Sequence, residues 1–315
     1  MFTAYGAFLN EATTLHDTFI KECISRCSGE GARIYMDTNP ENPMHTVKTD
    51  YIDKSGQRLD NGQLNIQAFH FTLYDNTFLN EEYVKSIEAA TPKGMFYDRD
   101  ILGKWIAAAG AVYPMFNTDL HCVRIKRNWT RIFIAGDFGI QNATTFGIFG
   151  YYEPEKRYHQ IASYYHSGRD QGQKTVKEYV SDLKDFIRKY MVMPEYIAID
   201  PSATPLMIEL RKDDYFSRHN IKIIAAKNNV KIGIQMVSYL LHTNKFTTDP
   251  SCTNDIEEMS SYTWDSTKLD NGKEEVLKIN DHACDKIRYA LLTDTTIHRT
   301  FDKELKIFSG KGSRE

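Results

Sequence analysis

The sequence predicts an α/β protein in which helices flank a mixed β-sheet. Three observations carry that expectation. Short apolar runs alternate with longer stretches whose apolar positions recur at helical spacing. Several of the short runs end in polar or acidic residues, as strands do at the carboxyl edge of a parallel sheet. Residues 144–152 and 157–165, finally, alternate or run apolar as consecutive antiparallel strands would.

Residues 4–9 form the first apolar run, which ends in Asn10-Glu11. A helical stretch through Phe19, Ile20, Cys23 and Ile24 follows, and then a Gly-rich turn, Ser28-Gly29-Glu30-Gly31. Arg33–Met36 reads as a second strand, ending in Asp37-Thr38-Asn39-Pro40. Strand, helix, strand in this order is part of a parallel sheet. A polar connection punctuated by Gly and Pro runs over residues 100–117. It places a boundary between a first domain at 1–115 and a second at 116–315.

The second domain opens with a strand at residues 131–135 that runs into Gly136-Asp137-Phe138-Gly139. The two antiparallel strands follow. Val176, Tyr179, Val180, Leu183, Phe186 and Ile187 then mark one face of a helix over 174–190. Tyr196–Ile199 is a short buried strand that ends in Asp200-Pro201. Residues 221–225 predict a strand, 232–241 a helix, and 261–279 a hairpin turning at Asp270-Asn271-Gly272. The last helix begins near Asp281 and runs to about 295. With the hairpin treated as an insertion, the order strand, strand, strand, helix, strand, helix, strand, helix is that of a ribonuclease-H-like mixed sheet.

Composition narrows the function. The 315 residues are 41% hydrophobic and 12% aromatic, enough for a real core and against disorder as the dominant state. A net charge of −3 excludes a global basic field, so any grip on nucleic acid rests on a local patch. The five cysteines are odd in number and scattered, and read as reduced thiols. The N-terminus shows no signal peptide, and no apolar run approaches the ~20 residues that span a bilayer. A soluble intracellular protein with no membrane partner is expected.

Three carboxylates occupy comparable positions. Asp137 ends the first strand of the second domain, Asp200 ends the short buried strand, and Asp285 lies in the first turns of the last helix. At helical spacing Asp281, His282, Asp285 and Arg288 share one side of that helix, expected to face a neighbour or a cleft and not the core. Cys284, Ile287 and Leu291 form the packing side. Phosphodiester hydrolysis needs an activated nucleophile and neutralised transition-state charge, which two divalent ions held by shared carboxylates supply. Hard oxygen donors suit Mg²⁺ or Mn²⁺, and His282 could ligate a softer Mn²⁺ or orient a water. Aspartates at strand ends also serve as turn-formers and caps, so spacing alone leaves both roles open. Asp137-Phe138-Gly139 matches the magnesium-binding triplet of protein kinases, but the His-Arg-Asp loop and Gly-rich phosphate loop of that reading are missing.

Taken together, Asp37-Thr38-Asn39-Pro40, His70-Phe71-Thr72 with Asp75-Asn76, Leu102-Gly103-Lys104-Trp105 with Gly110 and Tyr113, Gly136-Asp137-Phe138-Gly139, Ile199-Asp200-Pro201-Ser202, and Asp281-His282-Ala283-Cys284-Asp285 with Arg288-Tyr289 resemble the large terminase subunit of tailed phages and prophages. The resemblance covers nearly all of the chain. It implies a ribonuclease-H-like endonuclease that cuts concatemeric double-stranded viral DNA with two metal ions, Mg²⁺ or Mn²⁺. Position by position it implies Asp137, Asp200 and Asp285 as metal ligands, with His282 beside the site; Asp281 is the rival on the same helix. It further implies a portal protein and a small terminase subunit as partners, and the host cytoplasm as location.

The first domain resembles the C-terminal part of a P-loop-type motor ATPase, truncated at its N-terminus. Glu11 takes the catalytic-carboxylate position, with Asn10 where an aspartate is usual. Asn39 lies in the motif that couples hydrolysis to motion. No Gly-x-x-x-x-Gly-Lys-Ser/Thr phosphate loop occurs, so ATP is expected only in a full-length relative and no ATPase activity is expected from this chain alone. Arg124-Ile125-Lys126-Arg127 and the pair Lys227 and Lys231 are candidate phosphate contacts, weighed against a solvated surface. The alternative to the nuclease is a catalytically silent subunit of the packaging complex that docks to portal and small terminase. Holliday-junction resolvases and transposases share the fold, but the terminase-like first hundred or so residues argue against them.

Overall fold

Residues 3–106, 110–139, 142–270 and 273–294 are described by a computed structural model. The chain divides into two units: Met1–Gly110 with Thr263–Leu277, and Ala111–Tyr262 with Lys278–Glu315.

In the first unit, the expected strands form as β1 (Gly6–Leu9) and β2 (Arg33–Met36), paired in parallel with Gly6 opposite Arg33 and Leu9 opposite Met36. Helix α1 (Asp17–Arg26) connects them, and the His16 side chain caps it by accepting the Thr18 N–H at 3.3 Å. Alternation along the strands turns Leu9, Ile34 and Met36 toward a small core with Ala12, Ile20 and Val47. Phe8 and Tyr35 stand on the opposite face, each 63% exposed. A further helix, α2 (Glu81–Ala90), is capped by Asn80, whose side chain accepts the Tyr83 N–H.

The segment Thr263–Leu277 belongs to this unit. The hairpin expected there is reduced, among the described residues, to one antiparallel bridge between Trp264 and Val276. A short helix, Ser266–Asp270, occupies one arm instead. The reason is Asp265: its Oδ1 accepts the N–H groups of Thr267 at 2.9 Å and Lys268 at 3.2 Å, which nucleates a helical turn. Asn271 and Gly272 of the expected turn lie outside the described residues. Glu274 pairs with Arg99, and Asn42 Nδ2 donates to the Leu269 carbonyl at 3.2 Å, tying the segment in place.

In the second unit, six strands among the described residues form one sheet: β3 (Arg131–Asp137), β4 (Ala143–Tyr152), β5 (Arg157–Ser167), β6 (Tyr196–Ile199), β7 (Lys222–Ala225) and β8 (Phe246–Thr248), in the order β7-β6-β3-β4-β5-β8. β4 runs antiparallel to β3 and β5, while β6 and β7 continue parallel to β3. The mixed sheet expected from sequence is therefore present, and β8 adds a three-residue edge strand that was too short to read.

Helices cover both faces. On one, α3 (Val176–Tyr190) and α4 (Thr204–Lys212) bury Tyr179, Leu183, Ile187, Leu206 and Leu210 against Ile134, Phe146, Ile148, Ile197 and Ile199. The other face takes α5 (Val230–His242) and α7 (His282–Thr293), while α6 (Thr253–Ser261) packs against α7. Two of these, α4 and α6, were not read from sequence. Pro205 in the first turn of α4 masks it as a loop, although proline is tolerated there.

The expected polar stripe of the last helix is corrected. Asp285 and Arg288 are buried along with the packing side, and Lys286 is fully enclosed. Arg288 fits because Gly233 of α5 leaves it room: a Cβ at Gly233 would meet the Arg288 Cγ at 2.5 Å. Among the described residues no helix is long and apolar enough to cross a membrane, and the five cysteines are free.

Candidate active site

The parity of two parallel strands brings the first two carboxylates to one place. In β3, Ile134 points into the core under α3, so Ala135 turns away from it, Gly136 toward it and Asp137 away. In β6 the same alternation sets Ile197 and Ile199 toward that core and Asp200 away. The register pairs Ala135 with Ala198 and Gly136 with Ile199, so Asp137 and Asp200 follow side by side at the carboxyl ends, on the face that α7 covers. Asp137 is 9% exposed.

α7 supplies the rest. His282, its first residue, makes a 2.8 Å bond through Nδ1 to Asp137 Oδ2. Two turns on, the Tyr289 hydroxyl donates to Asp200 Oδ2 at 2.6 Å, while Asp200 Oδ1 accepts the Ser202 N–H at 2.7 Å. Between them lies Asp285, 8% exposed. Its Oδ1 accepts from Arg288 Nη2, and its Oδ2 accepts from the Lys278 ammonium at 3.2 Å. Lys278 also reaches Asp281 Oδ2 at 2.8 Å.

The electrostatics record the crowding. Burial raises the Asp137 pKa; the His282 bond works against that rise, and the charges of Asp285 and Asp200 add to it. His282 is raised in turn, first by its bond to Asp137, against the opposing effect of burial. For Lys278 burial opposes the charge, but Asp285 and Asp281 outweigh it and hold the ammonium protonated. The Tyr289 hydroxyl is pushed up by burial, by its bond to Asp200 and by the charges of Asp285 and Asp137. Asp137, Asp200, Asp285 and His282 thus share one neighbourhood. Each carboxylate is nonetheless held by its own partner, and among the described residues no three His, Cys, Asp or Glu side chains form a group placed to hold a metal ion.

α6 fixes the start of α7. Glu258 Oε2 accepts the Ala283 N–H at 2.6 Å. Lys286, without solvent exposure, pairs with Asp255 at 2.5 Å and donates to Ser163 Oγ at 2.8 Å. Sequence reasoning missed Lys278, Tyr289, Glu258 and the Asp255–Lys286 pair. Tyr289 and Arg288 stood in the quoted motif without a role; for the others the signal was an acidic or basic residue at helical spacing, which a solvated face gives equally.

In the first unit, Asn39 Nδ2 lies 3.3 Å from Glu11 Oε2, and the Glu11 N–H donates to Asp37 Oδ1 at 2.6 Å. These two residues are therefore brought together beyond the ends of β1 and β2. The two basic candidates part company. Arg127, ahead of β3, pairs at 2.9 Å with Glu155 of the turn between β4 and β5 and lies over the ring of Tyr152, the last residue of β4, at the sheet edge opposite Asp137. Arg124 lies 3.7 Å from Asp249. Lys227 lies two residues past the end of β7 and so at the carboxyl edge shared with Asp137 and Asp200, its N–H bonded to Thr293 Oγ1.

Two family models match successive stretches of the chain. The family described as "Phage terminase large subunit" matches residues 5–99, and the one described as "Terminase RNAseH like domain" matches residues 141–293. The large terminase of a thermophilic bacteriophage is 34% identical in sequence, with a TM-score of 0.82 over 92% of this chain and 68% of that one. The same phage protein in complex with ATP-gamma-S gives a TM-score of 0.83 at the same identity, covering 93% of this chain and 70% of that one. No curated protein matches the chain.

Proposed function

Because this chain belongs to the phage terminase large subunit family, we propose that its second unit is a divalent-metal-dependent endonuclease that hydrolyses phosphodiester bonds of double-stranded viral DNA during packaging. The observation that carries the reading is the side-by-side placement of Asp137 and Asp200 under a helix that presents His282 and Asp285. The donor set fits a hard divalent cation: three carboxylates and one imidazole, close enough that the charges of Asp285 and Asp200 add to the rise that burial imposes on the Asp137 pKa. Asp137, Asp200 and Asp285 would hold Mg²⁺ or Mn²⁺, two ions as in the two-metal scheme, with His282 alongside. Bound there, the ions would supply charge neutralisation and an activated water.

The chain's own residues orient this set. The His282 bond fixes one oxygen of Asp137, the Tyr289 hydroxyl fixes one of Asp200, and Arg288 anchors Asp285 from beneath. Lys227, at the same edge, is the better placed of the basic candidates for a phosphate. By family, a portal protein and a small terminase subunit are the expected protein partners. ATP belongs to relatives that carry the phosphate loop, and Glu11 and Asn39 are what this chain shares with that site.

The test is plasmid cleavage with added Mn²⁺. Linear product from the wild type, lost in Asp200→Asn, supports the reading. Cleavage that survives both Asp137→Asn and Asp200→Asn removes these residues from the mechanism. The engagement of every carboxylate by its own partner favours a second reading, a silent subunit with a structural role in packaging. A chain that neither binds Mn²⁺ nor cuts DNA would be that subunit.

A further inference from the structure

Resting on the reading of this site as a divalent-metal centre, we propose that Lys278 is its exchangeable counterion: the ammonium holds Asp285 until a divalent cation displaces it, and thereby sets the metal affinity. Asp285 is gripped from two sides. Arg288 takes Oδ1 and Lys278 takes Oδ2 at 3.2 Å. The two grips differ in kind. Arg288 is 1% exposed and packed over Gly233, so it has nowhere to go. The Lys278 side chain is 59% exposed and its polar contacts among the described residues are two carboxylates, Asp285 and Asp281 at 2.8 Å. Its departure costs no core packing.

An ammonium this close to a candidate ligand opposes a divalent cation twice, by occupying a lone pair and by like-charge repulsion. A cation that binds must therefore displace Lys278 rather than Arg288. The carboxylate loses no charge balance in the exchange, because one cation replaces another. The released ammonium remains tethered one helical turn away, beside Asp281.

The inference is tested by titrating the full chain with Mn²⁺ alone and following free Mn²⁺ by electron paramagnetic resonance. Lys278→Met is expected to bind Mn²⁺ about fivefold more tightly than wild type, from the loss of a partly exposed pair of about 1 kcal/mol. Lys278→Arg, which keeps the charge, is expected to bind as wild type does. A purely structural role for Lys278 predicts the opposite sign, since a loosened Asp285 would weaken the site. Equal or weaker Mn²⁺ binding by Lys278→Met, with its thermal midpoint unchanged, overturns the proposal. Binding by neither wild type nor variant overturns the metal-centre reading itself, and this inference with it.

Discussion

Both units of this chain contain parallel strands whose carboxyl ends carry acidic and amide side chains. In the first, β1 and β2 form a two-stranded sheet with Phe8 and Tyr35 on an exposed face. Glu11 there meets the neutral amide of Asn39. In the second, β3 and β6 lie within a six-stranded sheet covered on both faces, and Asp137 is buried among Asp200, Asp285 and His282. The local grammar is the same, strand and then polar residue. The difference is depth: burial removes water from around charges, so their mutual repulsion and their need for a cation both grow. The strand ends of the second unit are the ones over which a further layer closes.

The strongest way to break that comparison is to neutralise an acid in each unit. Asp285→Asn is expected to lower Mn²⁺-dependent plasmid cleavage about a thousandfold, the scale of several kcal/mol that a metal ligand controls. Glu11→Gln is expected to leave cleavage at the wild-type rate. Equal losses in both variants would mean that burial is not what separates the two sites.

Next in size is the enclosed ion pair. Lys286→Ala leaves Asp255 in the core with the neutral Gln160 amide but no countercharge, and is expected to cost about 3–5 kcal/mol in urea denaturation. The ion pair between Lys85 and Glu81 in the first unit is solvent-exposed, and Lys85→Ala should leave the midpoint where it was. A small effect from Lys286→Ala would show that water reaches α7.

The smallest effect is the pH dependence of the metal-free chain. His282 binds its proton more tightly when folded, so its contribution is complete below the unfolded value of 6.5 and is lost as pH rises through the raised folded value. Asp137, also raised, has the same sign: it favours the folded state below 3.8 and loses that advantage as pH climbs through its raised value. Melting temperatures in chelator should therefore decline as pH rises above about 6.5. Asp137→Asn should flatten that decline, and an unchanged slope in the variant would detach His282 from Asp137.

Much of this was legible in the chain alone. Strong periodicity announced β3, α3 and α7, and the strand-end positions of Asp137 and Asp200 marked them together. What the chain order could not carry was register. Gly136 faces Ile199 across 63 residues of sequence, and no local pattern encodes that pairing. Nor could it carry depth: Arg288 read as part of a polar helix face and Lys286 had no reading at all, because buried lysine and arginine are rare and Asp255, the partner of Lys286, meets it only in three dimensions. The basic run at Arg124 read as a candidate phosphate contact weighed against a solvated surface, and its acidic neighbours Asp249 and Glu155 lie too far along the chain to enter that weighing.

The loan of Thr263–Leu277 to the first unit has a practical corollary for dissecting the chain. A single cut after Gly110 frees neither unit, since the downstream piece would still carry fifteen residues that pack elsewhere. The loaned stretch begins and ends at one point: the Leu277 N–H donates to the Thr263 carbonyl at 2.9 Å. Excising it and joining Tyr262 to Lys278 through a few glycines is thus the route to a self-standing second half.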